Sequence, residues 1–135
     1  ERLEQLGALP VGGAVITPGG DLPASFLIHV VTSSDDEPES VASVEKALRN
    51  GLRRAAEWGL RSLAVPGLGT GVGTMDHEEA ARTVVEVVRD HLAEGQPPLE
   101  ITIVVRGEYE ADVFGQVVGD LGADRAAARG GGRGA

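Results

Sequence analysis

The chain has no cysteine among its 135 residues, which excludes a disulfide framework and a thiolate-held metal and is compatible with a reducing cytoplasm. It has a single lysine, Lys46, and a formal net charge of −9. A nonspecific grip on DNA or RNA needs clustered Lys and Arg to displace counterions, so no specific nucleic-acid partner is expected. Aromatics are as scarce: one Trp, one Tyr and two Phe. Trp58 therefore lacks the neighbouring rings of a base-stacking platform and reads as packing. The longest apolar runs, such as Phe26 to Val31, fall far short of the roughly 18 residues of a membrane span. With no signal peptide visible either, a soluble cytoplasmic protein without a membrane partner is expected.

Several catalytic motifs are missing too. No G-x-G-x-x-G frame fits, and no lysine follows the glycine-rich stretch for a phosphate-binding Walker A loop, which removes the main support for a dehydrogenase or an NTPase. Ser62 has no G-x-S-x-G context. His77-Glu78 opens an H-E-x-x-H pattern, but Ala81 stands where the second histidine belongs, so no zinc site is expected. Neither a metal nor a cofactor is implied.

What the chain does have is Ser62 to Glu79, SLAVPGLGTGVGTMDHEE, an apolar run that breaks into a loop with alternating glycines and then opens a helix. A backbone without Cβ atoms can curl around a guest and aim several N–H groups at an anion, and a helix N-terminus behind it favours the same charge. A plain turn between strand and helix needs no more than the same residues, and composition alone leaves the two readings level.

Around this loop the chain reads as strand and helix in alternation. Glu1 to Leu6 places Leu3 and Leu6 on one face, as the end of a helix that begins upstream; with Glu rather than Met in first place, a fragment is expected. Strands are expected at Gly12 to Thr17 and Ser25 to Val31, parted by the turn residues PGGD, then at Leu60 to Pro66 and Leu99 to Val105. A helix from about Pro38 to Trp58 buries Val41, Val44, Leu48 and Leu52 and stops at Gly59. A second starts at the N-cap Asp76, with Glu79 in capping-box position, and runs to about Leu92. A third is expected over Glu108 to Leu121. Gly122 to Ala135 is low in complexity, has no apolar face and reads as a disordered tail. Its arginines are weak evidence for a nucleic-acid contact. This pattern implies a mostly parallel sheet covered on both faces, with ligand beyond the carboxyl ends of the strands.

Among single residues, Asp35, Asp36 and Glu37 read as a cation site or as acids favoured at the positive end of a helix. His29 lies in an apolar strand and reads as a satisfied core histidine or a catalytic one. His91, late in a helix, complements the dipole.

The segments GGAVITPGGDLPASFLIHVV, GLRSLAVPGLGTGVGTMDHEEAARTVVEVV and LEITIVV, in order and spacing from Glu1 to about Val118, resemble the C-terminal two-thirds of a macro domain, the ADP-ribose-binding family. The resemblance implies a three-layer α/β/α sandwich around a mixed sheet for residues 1–121. It also implies that Gly67, Leu68, Gly69, Thr70, Gly71, Val72 and Gly73 belong to the second of two ligand-embracing loops, the one that holds the diphosphate and distal ribose. Arg106, after the last strand, reads either as covering the adenine face, where a guanidinium can stack on a base, or as an ordinary exposed surface arginine. Two departures matter. Gly73 stands where the family often has an aromatic residue. The family's first strand, its adenine-reading acid, its asparagine-rich segment and its first glycine loop precede the region where this chain begins. No catalytic residue is therefore assigned. The expected ligand is ADP-ribose or an ADP-ribosylated protein, within an ADP-ribosyl or O-acetyl-ADP-ribose hydrolase if the whole protein is an enzyme. The alternative is a non-catalytic interaction domain with an unused pocket.

Overall fold

The computed structural model describes residues 10–21, 24–69 and 75–133, with side chains described through Leu121. The helix expected at Glu1 to Leu6 lies outside the described residues. The elements run β1 (Ala14–Pro18), β2 (Phe26–Val30), α1 (Val41–Glu57), β3 (Ser62–Pro66), α2 (His77–Glu94), β4 (Glu100–Val104) and α3 (Glu108–Arg133).

Strands β1 and β2 form an antiparallel pair in which Ala14 faces Val30 and Pro18 faces Phe26. Strands β3 and β4 form a parallel pair, Ser62 beside Glu100 and Pro66 beside Val104. Parallel pairing thus does not predominate among the described residues. The physical reason lies in the connections. The few residues between β1 and β2 can join only antiparallel neighbours, whereas α2 supplies the long crossover that a parallel pair requires. The two ribbons are not hydrogen-bonded to each other.

Helix α1 begins at Val41 rather than near Pro38 because Ser40 and Ser43 cap it reciprocally, each hydroxyl accepting the other's backbone N–H at 3.1 and 2.9 Å. It ends where the Gly59 and Leu60 N–H groups turn back to the carbonyls of Ala56 and Ala55. Asp35, Asp36 and Glu37 precede the cap, so none of them stands in the first turn of the helix. The described residues contain no cluster of three metal-binding side chains. On the hairpin side Gly51 rests over Ile28 and Val30. Asn50 donates to the Gly12 carbonyl, and the Lys46 stem covers Gly12 so closely that a Cβ there would stand 2.6 Å from Lys46 Cδ.

Val44, Leu48 and Leu52 of α1, Val84, Val87 and Val88 of α2, and Phe114, Val117 and Leu121 of α3 form one core with Val65 of β3. Each fully buried residue of this kind contributes roughly 1.5–3 kcal/mol. Leu63, Ile101 and Ile103 pack against that core. Their alternates Ser62, Ala64, Pro66, Glu100, Thr102 and Val104 are exposed. Leu63, Val65, Ile101 and Ile103 therefore turn one face of this ribbon toward the core. Helix α3 continues to Arg133, past the boundary expected at Leu121. No helix among the described residues is long and apolar enough to cross a membrane.

Candidate functional site

Because β3 and β4 are parallel and in register, their carboxyl ends lie side by side, and the segments that leave them emerge together. From β3 comes the glycine loop. The Leu68 N–H turns back to the Pro66 carbonyl at 2.8 Å, reversing the chain as soon as the strand ends. Gly69 follows, buried, with φ +85°. A Cβ there would stand 3.0 Å from Met75 Sδ, 3.1 Å from Ala80 Cβ and 3.4 Å from Val44 Cγ2. Position 69 therefore needs glycine twice, for its left-handed backbone and for lack of room between α1 and α2. Leu68 packs against the core, and Gly67 is half-buried. Thr70, Gly71, Val72 and Gly73 lie outside the described residues.

Helix α2 begins directly beyond. Asp76 caps it, one carboxylate oxygen accepting the N–H groups of Glu78 and Glu79 at 3.1 and 3.2 Å. Glu78 and Glu79 add further negative charge to the first turn. The positive end of this helix is thus already answered by carboxylates.

From β4 comes Arg106. Its backbone N–H donates to Glu110 Oε1 at 2.9 Å, and its Nη2 stands 3.6 Å from Glu110 Oε2. The arginine side chain is 69% exposed and the glutamate side chain 9%. Tyr109 meets His77 edge to face at 5.4 Å, joining the starts of α3 and α2. Sequence reasoning identified Arg106 but passed over Glu110 and the His77–Tyr109 contact. The available signal was Glu110 at the third position of a helix, four residues after a cation.

The other histidines are occupied structurally. His29 Nε2 and Thr17 Oγ1 are hydrogen-bonded at 2.8 Å across β1 and β2. Buried His91 donates from Nε2 to the Pro98 carbonyl at 3.1 Å, bracing the turn into β4. Trp58 packs edge to face on Phe26 at 5.2 Å. A cleft of about 220 Å³ between α1 and α2, lined by Arg49, Leu52, Arg53 and His91, lies at the end of these helices away from the glycine loop. Arg49 there is ion-paired with Glu45 and Asp90. Partial burial of its guanidinium lowers the pKa, but the two carboxylates outweigh that and hold it above its ordinary value.

In α/β domains the carboxyl ends of parallel strands are where ligands commonly bind, and the glycine loop of this chain leaves from such an end. The Macro domain family model matches residues 1–84, more than half of the chain, and the protein belongs to that family. It is 37% identical over 115 residues to a protein of Klebsiella pneumoniae named O-acetyl-ADP-ribose deacetylase, a match covering 83% of this chain and 65% of that one. A relative from Aeropyrum pernix is 41% identical over 103 residues, covering 74% of this chain and 52% of its own length. This chain thus spans half to two-thirds of these relatives. Among solved structures, the Oceanobacillus iheyensis macrodomain with ADP superposes with a TM-score of 0.79 at 25% identity, over 90% of this chain and 65% of that one. The Trypanosoma brucei macrodomain in complex with ADP-ribose gives 0.70 at 26%, over 81% and 46%. The α/β fold expected from the sequence is that of these macrodomains.

Proposed function

We propose that this chain contributes to a site for ADP-ribose or an ADP-ribosylated protein in the cytoplasm. In it Gly67, Leu68, Gly69, Thr70, Gly71, Val72 and Gly73 embrace the diphosphate and distal ribose, and Arg106 covers the adenine. The observation that carries the reading is Gly69, locked at φ +85° against α1 and α2 at the carboxyl end of β3. A loop that starts from a position so constrained, with glycines to follow, would offer backbone amides to an anion, which suits a protein of net charge −9 that must hold a diphosphate locally. Family membership and the ADP-ribose complex of a fold relative support the same ligand.

If the whole protein hydrolyses an acetyl ester or a protein-linked ADP-ribose, this loop orients the substrate. The proton transfers are assigned to none of the residues above. Calorimetric titration of the full-length protein with ADP-ribose tests the proposal: saturable heat is expected, and absence of heat up to millimolar ligand refutes it.

A further inference from the structure

We infer that Glu110 is a positioning residue for ligand recognition, holding Arg106 in place at the mouth of the loop. The inference rests on the ADP-ribose reading above. An exposed arginine on a surface loop ordinarily samples many rotamers, and an exposed ion pair does little to restrain it. Arg106 differs because its partner is buried. The Glu110 side chain is 9% exposed, and a carboxylate at that depth must remain hydrogen-bonded, since leaving it unsatisfied costs far more than a surface contact does.

One carboxylate reaches Arg106 at two points, the backbone N–H through Oε1 at 2.9 Å and the guanidinium through Oε2 at 3.6 Å. The first bond fixes where the chain turns after β4. The second biases where the 69%-exposed head group points. The parallel register sets Val104 beside Pro66, so Arg106 leaves the sheet beside the start of the glycine loop. A flat guanidinium held at that place can lie against a planar base, an interaction that depends on orientation as well as on charge. The chemistry thereby recognised is the adenine end of the ligand, and the residue that pre-orders its recognition is Glu110.

The test compares wild type, Glu110→Gln, Arg106→Ala, Arg106→Lys and the double variant Glu110→Gln/Arg106→Ala, with ADP-ribose and with ribose 5-phosphate, which lacks adenine. Glu110→Gln and Arg106→Ala are each expected to weaken ADP-ribose about tenfold. The double variant should lose no more than either single one, Arg106→Lys should not restore affinity, and ribose 5-phosphate should bind all proteins alike. Arg106 amide exchange, measured without ligand, should quicken in Glu110→Ala, which removes the acceptor. Equal loss for both ligands would assign Glu110 a merely structural role and overturn the inference, as would additive losses or unchanged amide exchange. Arg106→Ala changes an exposed side chain and serves if Glu110→Gln does not fold: full ADP-ribose affinity in that variant also overturns it. Wild-type protein that fails to bind ADP-ribose instead refutes the reading on which the inference rests, while the exchange measurement still tests the Glu110 tether.

Discussion

Gly69→Ala offers the sharpest test of the loop geometry. Two costs add. An alanine at φ +85° sits in left-handed backbone, worth about 1–2 kcal/mol. Its Cβ also meets Met75 Sδ at 3.0 Å, Ala80 Cβ at 3.1 Å and Val44 Cγ2 at 3.4 Å. Met75 can swing aside, but Ala80 is fixed on α2 and can yield only with its helix. Overpacking of this kind costs about 1–3 kcal/mol. Together they destabilise by about 2–5 kcal/mol, which for a domain of this size lowers Tm by roughly 8–20 °C. Gly95→Ala separates the two effects, since Gly95 has φ +75° but a Cβ there meets nothing within 4 Å. That variant should show the backbone cost alone. Thermal melts followed by circular dichroism, with ADP-ribose titrations below the melting range, measure both consequences. If Gly69→Ala melts within a degree or two of Gly95→Ala, the close approach of Gly69, α1 and α2 is wrong, and so is the claim that Gly69 is locked.

Removing the Asp76 carboxylate as Asp76→Ala should destabilise by about 1 kcal/mol through loss of the bonds to Glu78 and Glu79, a change that a urea midpoint resolves. On the proposed reading, in which the loop holds the diphosphate, it should leave ADP-ribose affinity unchanged; a marked drop would place the anion at the helix terminus instead. Phe114→Ala, at 4% exposure in the shared core, should cost about 3–5 kcal/mol in the same assay and loosen α3 from α2. Arg49→Gln should cost less than about 1 kcal/mol, since both partners and the arginine are partly exposed. The raised Arg49 pKa contributes stability that is present below the ordinary arginine range and lost only as pH climbs through the folded value. The arginine's own ionisation therefore adds no slope to the wild-type minus Arg49→Gln difference across neutral pH.

The elements were legible because each carries a period. Val44, Leu48 and Leu52 mark a helix face, and LEITIVV alternates into a strand whose Ile101 and Ile103 pack inward. The mixed sheet was legible as well: the short turn at PGGD permits only the antiparallel pair that β1 and β2 form, and the helix between β3 and β4 supplies the crossover of a parallel one. The start of α1 was displaced because acids and proline looked like a first turn, while the local cap that decides it is two serines three residues apart. At the site, the glycine pattern located the loop but not the reason for Gly69. That reason is the convergence of Val44 and Ala80 from two helices, and no local pattern encodes it. Glu110 shows the same limit. Its spacing from Arg106 is local, but its burial, which gives the pair its hold, comes from packing.

Lys46 carries an exposed ammonium on a stem that lies across Gly12, and it is the only lysine. Amine-directed chemistry therefore has one side-chain target in this chain, placed where α1 grips the β1–β2 hairpin. A fluorophore or spin label attached there would report the docking of that hairpin without a cysteine having to be introduced. In a protein that also lacks thiols, a cysteine added elsewhere would supply an orthogonal second handle, so that the distance between hairpin and ligand loop could be followed as ligand is added.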